Sequence, residues 1–168
     1  MRILISGITG MVGSHLADYI LEHHPEHEIY GLVRWRSPMD NVRHLGSQVS
    51  YVRGDLRDLA SIIEAMRSSK PDWIFHLAAQ SFVPFSYIAP AETLETNIIG
   101  TTNLLDAMRI TGSKAKIHVC SSSEVYGQVR KGEVPIKESN PFRPSSPYAV
   151  SKVGQDMIAL QYFTSYKI

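Results

Sequence analysis

The sequence predicts an α/β fold, a parallel sheet doubly wound with helices on both faces. Three observations predict it. Five short apolar runs, at 2–6, 28–33, 49–52, 73–77 and 116–120, alternate with helical patterns near 11–24, 59–67, 91–109 and 147–163, and such alternation lays strands side by side in one direction with a helix crossing back between them. The first run leads straight into a glycine-rich turn and a helix. The last helical pattern opens with Tyr148 and Lys152, one turn apart.

In chain order, Ile3-Leu4-Ile5 ends in Ser6-Gly7-Ile8-Thr9-Gly10-Met11-Val12-Gly13, and Leu16, Tyr19 and Ile20 then share one helical face. Gly7 permits a tight turn, Gly10 lets backbone approach a pyrophosphate at the helix N-terminus, and Gly13 lets helix pack on strand. Pro25 ends this helix among His23, His24, Glu26, His27 and Glu28. Their spacing fits no ligand template, so a solvated helix end and no metal are expected. After the second strand come Arg34-Trp35-Arg36-Ser37, with no carboxylate until Asp40; dinucleotide sites place an acid here for NAD and a cation for the 2′-phosphate of NADP, so NADP is favoured, NAD being the other choice.

Asp55 and Leu56 follow the third strand, and His76, read as a packed core histidine, ends the fourth ahead of Leu77-Ala78-Ala79-Gln80-Ser81. Leu94, Ile98, Leu105 and Met108 make an apolar stripe on the next helix. Ser122, Ser123 and Glu124 lie just past the fifth strand, at the end of a parallel sheet where ligands bind. The irregular stretch 127–146 is rich in proline, serine and lysine, and long loops in compact domains tend to be functional. Pro147 suits a first helical position capped by Ser145 or Ser146, which sets Tyr148 at the positive end of the helix; an ammonium at i+4 then favours its phenolate.

Composition bounds the rest. At 168 residues, 43% apolar and 20% charged, the chain suits one globular domain over 1–168. Seventeen basic against sixteen acidic residues leave a net charge of +1, which gives no electrostatic case for nucleic acid or membrane. Cys120 ends a strand-like run and reads as a buried structural thiol. No run resembles a signal peptide or a spanning segment, so a cytoplasmic protein is expected.

The spacing Gly7-x-x-Gly10-x-x-Gly13 with Tyr148-x-x-x-Lys152 downstream resembles the extended short-chain dehydrogenase/reductases, the NAD-dependent epimerase/dehydratase family that modifies nucleotide sugars. The resemblance runs along essentially the whole chain. Gly31–Ser37, Gly54-Asp55-Leu56, His76–Ser81, Ser122–Gly127 and Arg143–Tyr148 are most similar to the branch that dehydrates GDP-mannose at C4 and C6. The resemblance implies a Rossmann-like domain holding NADP through Gly7, Thr9, Gly10, Met11, Val12, Gly13, Arg34, Arg36, Ser37, Asp55, Leu56, Leu77, Ala78, Ala79, Tyr148 and Lys152. It implies a nucleotide-sugar substrate, GDP-mannose, contacted by Ser81 and Ser123, and a homodimer through the helices at 91–109 and 147–163. In the catalytic roles it implies, Tyr148 is the base, Lys152 holds phenolate and ribose, Ser122 shares the sugar hydroxyl proton, and Glu124 takes the proton from C5. Dehydratases usually carry threonine where Ser122 stands, whereas simple epimerases lack the carboxylate of Glu124. A 4-keto-6-deoxy sugar reductase, a 4-epimerase and a non-catalytic dinucleotide-binding fragment are the alternatives. The chain stops where the resemblance places the next strand, so a fragment lacking the C-terminal substrate lobe is expected.

Overall fold

Successive side chains of a strand point to opposite faces, and in the computed structural model, which describes residues 1–168, that alternation divides the core in two. Strands β1 (Arg2–Ser6), β2 (Glu28–Val33), β3 (Val49–Arg53), β4 (Trp73–His76) and β5 (Lys116–Val119) form one parallel sheet in the order β3-β2-β1-β4-β5. Leu4, Leu32 and Ile74 face one way, onto α2 (Leu59–Ser69), α5 (Gly100–Thr111) and α6 (Pro147–Tyr166), where they meet Ile62, Met66, Leu104, Met108 and Tyr162. Ile3, Ile5, Ile29 and Val33 face the other way, onto α1 (Met11–His23) and a 3₁₀ segment, Asp40–Gln48, that contributes Val42 and Leu45.

Every expected strand and helix is present, with a difference inside one segment. The expected helix at 91–109 consists of α4 (Pro90–Leu94), a π turn (Glu95–Ile99) and α5, preceded by the short α3 (Val83–Ile88). The π turn follows from packing rather than propensity. It turns Asn97 fully inward, and such widened turns are frequent at functional sites. Of the apolar stripe, Leu105 and Met108 are core residues, whereas Ile98 meets α6 at Gly154, where an added Cβ would come 2.5 Å from Ile98 Cδ1. β5 is an edge strand, and its Lys116 and His118 are exposed, charged or titratable side chains of the kind that discourage edge pairing.

A polar network crosses the middle of this apolar structure. Ser6 and His76 are register partners at the ends of β1 and β4, with Ser6 Oγ 2.7 Å from His76 Nδ1. His76 Nε2 lies 2.9 Å from Thr101 Oγ1, Gln155 Nε2 donates to the same oxygen at 3.0 Å, and Gln155 Oε1 accepts from Lys152 Nζ. The direction of every bond follows from one end. An ammonium has only donors, so the Gln155 oxygen must face Lys152 and its nitrogen must face Thr101. The Thr101 hydroxyl is committed to Asn97 O at 2.7 Å, so it can only accept from the other two. His76 is therefore neutral with its proton on Nε2, and Nδ1 accepts from Ser6. Burial, assisted by the Lys152 charge, drives its pKa down to about 3.

Two outcomes follow from this packing. An added Cβ at Gly13 would lie 2.3 Å from Gly7 O and 2.7 Å from Ile8 Cα, both rigid backbone, while one at Gly132 would meet nothing within 4 Å. Gly13→Ala should lower unfolding stability by about 1–3 kcal/mol, the usual range for overpacking, and Gly132→Ala by no more than about 0.5 kcal/mol; urea titration of both reads the contrast. His76 supplies a pH dependence. Its folded pKa lies below its unfolded value of 6.5, so on acidification the unfolded chain takes up a proton that the native chain refuses. Stability should fall as pH drops from about 6.5, at up to about 1.4 kcal/mol per pH unit for one proton. Between pH 6.5 and 4.5 this is separate from the loss caused by protonating Glu133, whose pKa Arg143 depresses to about 2 from 4.5. In ¹⁵N NMR the His76 ring should remain neutral with the proton on Nε2 down to pH 5; a protonated ring at that pH would refute the bond directions.

Candidate active site

Strand order reverses between β1 and β4, because their crossover helices lie on opposite faces, and this opens a crevice beyond the carboxyl ends of the strands. A cleft of about 580 Å³ occupies it. Its floor is the turn carrying Gly7, Thr9, Gly10, Met11, Val12 and Gly13. Gly7 adopts φ +75, and a Cβ there would stand 2.8 Å from Ala78 N, so the β4 loop lies directly over the turn. Helix α1 begins here with Gly10 as N-cap, no side chain capping it and no acid in its first turn. Its leading N–H groups and the positive end of its dipole are left to an anion.

Arg34 and Ser37 from the β2 loop, and Asp55, Leu56 and Arg57 from the β3 loop, line the next part of the cleft. Ser37 Oγ accepts from Arg34 N at 3.0 Å and shapes the turn. The Arg36 guanidinium lies 4.1 Å over the Trp35 ring and outside the cleft lining. Asp40, the first carboxylate after β2, is occupied by Arg43 at 3.0 Å. Asp55 accepts from Arg57 N at 3.0 Å and pairs with its Nε at 3.6 Å, so this carboxylate shapes its own turn.

The far wall holds the Tyr-Lys pair. Ser146 caps α6, its Oγ accepting from Ala149 N at 3.0 Å, and Pro147 takes the first turn. Tyr148, half-buried, and Lys152, only 3% exposed, both line the cleft with Leu77, Ala78, Ala79, Gln80 and Ser81 opposite. Lys152 Nζ bonds Cys120 O and Gln155 Oε1, which uses two of its three donors. Burial pushes its pKa below the ordinary lysine value, against the opposing pull of Cys120 and Asp156. Asn97 ties this wall to the loop: it accepts from Gln80 N at 2.7 Å and donates to Gln80 O and to Ser151 Oγ, whose hydroxyl donates to Tyr148 O at 2.6 Å.

Ser122, Ser123 and Glu124 lie outside the lining. They form the start of a 3₁₀ turn, Ser123–Tyr126, that packs against α6, with Ser122 Oγ accepting from Glu124 N at 3.2 Å as its cap. The cleft also takes residues not singled out in the sequence: Arg57, Glu92, Thr96 and Ser121. Arg57 and Ser121 sit at carboxyl ends of strands and were legible by position. Glu92 and Thr96 enter with α4 and the π turn, for which the sequence carries no signal.

Comparison with known proteins gives the lineage of this site. Residues 4–168 match the family described as GDP-mannose 4,6 dehydratase. A GDP-mannose 4,6-dehydratase of Vibrio cholerae serotype O1 is 39% identical over 179 residues, which cover 98% of this chain and 46% of that protein. Among solved structures, the dTDP-glucose 4,6-dehydratase DesIV from Streptomyces venezuelae with NAD and TYD bound aligns with a TM-score of 0.89 at 32% identity, over 100% of this chain and 53% of that one. RMD from Pseudomonas aeruginosa complexed with NADPH gives 0.80 at 32% identity, over 99% and 51%. The chain thus spans about half the length of the relatives it matches. With a Rossmann sheet, a glycine turn at its switch point and a Tyr-x-x-x-Lys helix on the far wall, the chain belongs to the GDP-mannose 4,6-dehydratase family.

Proposed function

We propose that this chain is the dinucleotide-binding and catalytic part of a nucleotide-sugar 4,6-dehydratase acting on GDP-mannose, with NADP bound in preference to NAD. The observation that carries the reading is the cleft itself, where an uncapped helix N-terminus over a glycine turn faces Tyr148 and a buried Lys152. The residues fit a dinucleotide: an anion cradle at α1, cations at Arg34 and Arg57, and an apolar wall at Leu56, Leu77 and Ala78. When bound, the dinucleotide supplies an acceptor for the C4 hydride as the ketone forms and the donor that returns it to C6 after water is lost, so that it is not consumed.

Tyr148, as phenolate, removes the proton of the sugar 4-hydroxyl. Lys152, pinned by Cys120 O and Gln155, offers its remaining N–H to the phenolate and ribose. Ser122 shares the hydroxyl proton once its cap bond to Glu124 N is exchanged for the sugar. Glu124, exposed on the neighbouring turn, takes the C5 proton that a C4 ketone acidifies, and water then leaves from C6. Ser81 and Ser123 border the sugar. Two copies associate through α4, α5 and α6, supported by the exposed apolar side chains Ile99, Val150, Met157, Leu160 and Phe163. No helix is long and apolar enough to cross a membrane.

Incubated with GDP-mannose and NADP, the chain should form a 4-keto-6-deoxy sugar without net reduction of cofactor. Tyr148→Phe should slow this by on the order of 10²–10⁴, the contribution of a positioned proton-transfer group. Mass spectrometry of the nucleotide sugar decides it, and dinucleotide binding without product would reduce the chain to a binding domain. For the cofactor, calorimetric titration should give tighter binding of NADP than of NAD. A charge-assisted hydrogen bond contributes about 1.5–3 kcal/mol, so Arg34→Ala with Arg36→Ala should erase a preference of roughly tenfold or more. Equal affinities in the unmutated chain would overturn the assignment.

A further inference from the structure

At the opposite end of β2 from Arg34, α1 stops at His23 and the chain turns through His24-Pro25-Glu26-His27. The turn is closed by His27 N donating to His24 O at 3.1 Å, and Pro25 presets the backbone at its second position. This turn converts a sequence spacing that matches no ligand template into a cluster. The donor atoms of His24, Glu26 and His27 all lie within 4.8 Å of one another. Glu26 Oε1 stands 3.2 Å from His27 Nδ1 and 4.0 Å from His24 Nδ1, and the two imidazole rings are nearly parallel, 12° apart at 5.7 Å.

A second, independent observation points at the same spot. His27 Nδ1 is the one buried side-chain nitrogen or oxygen of the protein without a hydrogen-bond partner. Its approach to Glu26 brings a ring nitrogen against a carboxylate oxygen without hydrogen-bond alignment. Buried polar groups are nearly always satisfied, so an exception calls for a cause. A proton can join two such atoms, whereas one metal cation can join all three. The side-chain exposures suit capture: His27 is fixed at 14%, while His24 at 51% and Glu26 at 63% are free to close on it.

We propose that His24, Glu26 and His27 bind a late first-row divalent cation, Zn²⁺ in the first instance, as a three-ligand site with water in the fourth position. Zinc takes imidazole nitrogen at about 2.0–2.1 Å and carboxylate oxygen at about 2.0–2.2 Å, which sets tetrahedral ligands roughly 3.3–3.4 Å apart. The 3.2 Å pair already meets that spacing, and the other ligands need to move by under about 1.5 Å. Two imidazoles with one carboxylate suit zinc, copper or nickel over magnesium or calcium. The charge is also well placed, since a cation at the carboxyl end of α1 complements the helix dipole. The site lies at the amino-terminal end of β2, away from the cleft, so its role is to pin the end of α1 to the start of the strand.

Titration of the purified chain with ZnCl₂ by calorimetry, in a buffer that does not chelate, tests this. One equivalent should bind, MgCl₂ should give no heat of binding, and Zn²⁺ should raise the thermal midpoint because it binds the folded chain preferentially. Glu26→Gln, at an exposed position that leaves the fold intact, and His27→Gln should each weaken zinc at least tenfold, while His23→Gln, whose ring is turned to Tyr19 O at 3.1 Å, should not. Histidine ¹⁵N spectra should show His24 and His27 shifting together at one equivalent. Absence of stoichiometric zinc binding, or binding equally tight in Glu26→Gln and His27→Gln, would overturn the proposal.

Discussion

A lysine ammonium donates three hydrogen bonds and accepts none, so a chain that buries one must turn acceptors toward it. In this protein that demand falls on Lys152, and its consequences reach across the sheet. Cys120 O, the first carbonyl past β5, answers it from one side, and Gln155, three residues further along α6, from the other. Because the Gln155 oxygen is claimed, its nitrogen reaches Thr101, and the remaining directions are forced through His76 to Ser6. Ser6 then accepts from both Leu77 N and Ala78 N at 3.2 Å. The loop over the glycine turn is thereby tied to the lysine on the opposite wall. Removing one member of such a network leaves buried groups unpaired, which costs more than the bond it made.

The same network explains how a polar core coexists with two apolar ones. The strands that flank the switch point, β1 and β4, end in Ser6 and His76, while Ile3–Ile5 and Trp73–Phe75 before them are apolar on each face. Hydrophobic alternation sets the register of the sheet, and the polar pair at its carboxyl end uses that register rather than creating it. Asn97 serves the same end from the helical layer, since the π turn brings its amide between Gln80 and Ser151. Both cleft walls are therefore fixed to the rigid sheet, the arrangement that a preorganised site requires.

What could be read from the sequence divides along physical lines. Strands and helices follow hydrophobic periodicity, which is local, and each appears within a few residues of its expected bounds. Gly13 was legible because only glycine tolerates backbone at 2.3 Å from its Cβ position, and Ser146 and Pro147 because capping is a one-turn property. His76 was read as a packed histidine, and it is one, but its partners Thr101 and Ser6 lie 25 and 70 residues away, beyond any local pattern. The π turn was hidden for the same reason. Lys152 shows the limit most directly: spacing places it one turn from Tyr148, whereas burial decides that Cys120 O and Gln155 hold it.

The placing of Tyr148 also needs an anchor at its other end, and the irregular stretch before α6 supplies it. Gly127 adopts φ +55 where a Cβ would stand 1.8 Å from Arg143 O, so the strap leaves the 3₁₀ turn and returns against its own start. Arg143 N donates to Val125 O at 3.0 Å, and its guanidinium grips both oxygens of Glu133, at 2.6 and 2.7 Å. Bidentate pairs of this kind fix orientation as well as distance. The Tyr87 hydroxyl then donates to Ser145 O at 3.2 Å, one residue before the cap of α6. A phenol at the second position of a helix takes its place from wherever that helix begins, and this strap determines the beginning. Tyr148 is thus placed from the amino-terminal side by the folded strap, and one turn later Lys152 anchors the same helix to Cys120 O. The turn that the strap closes, Ser123–Tyr126 with Ser122 as its cap, packs against α6.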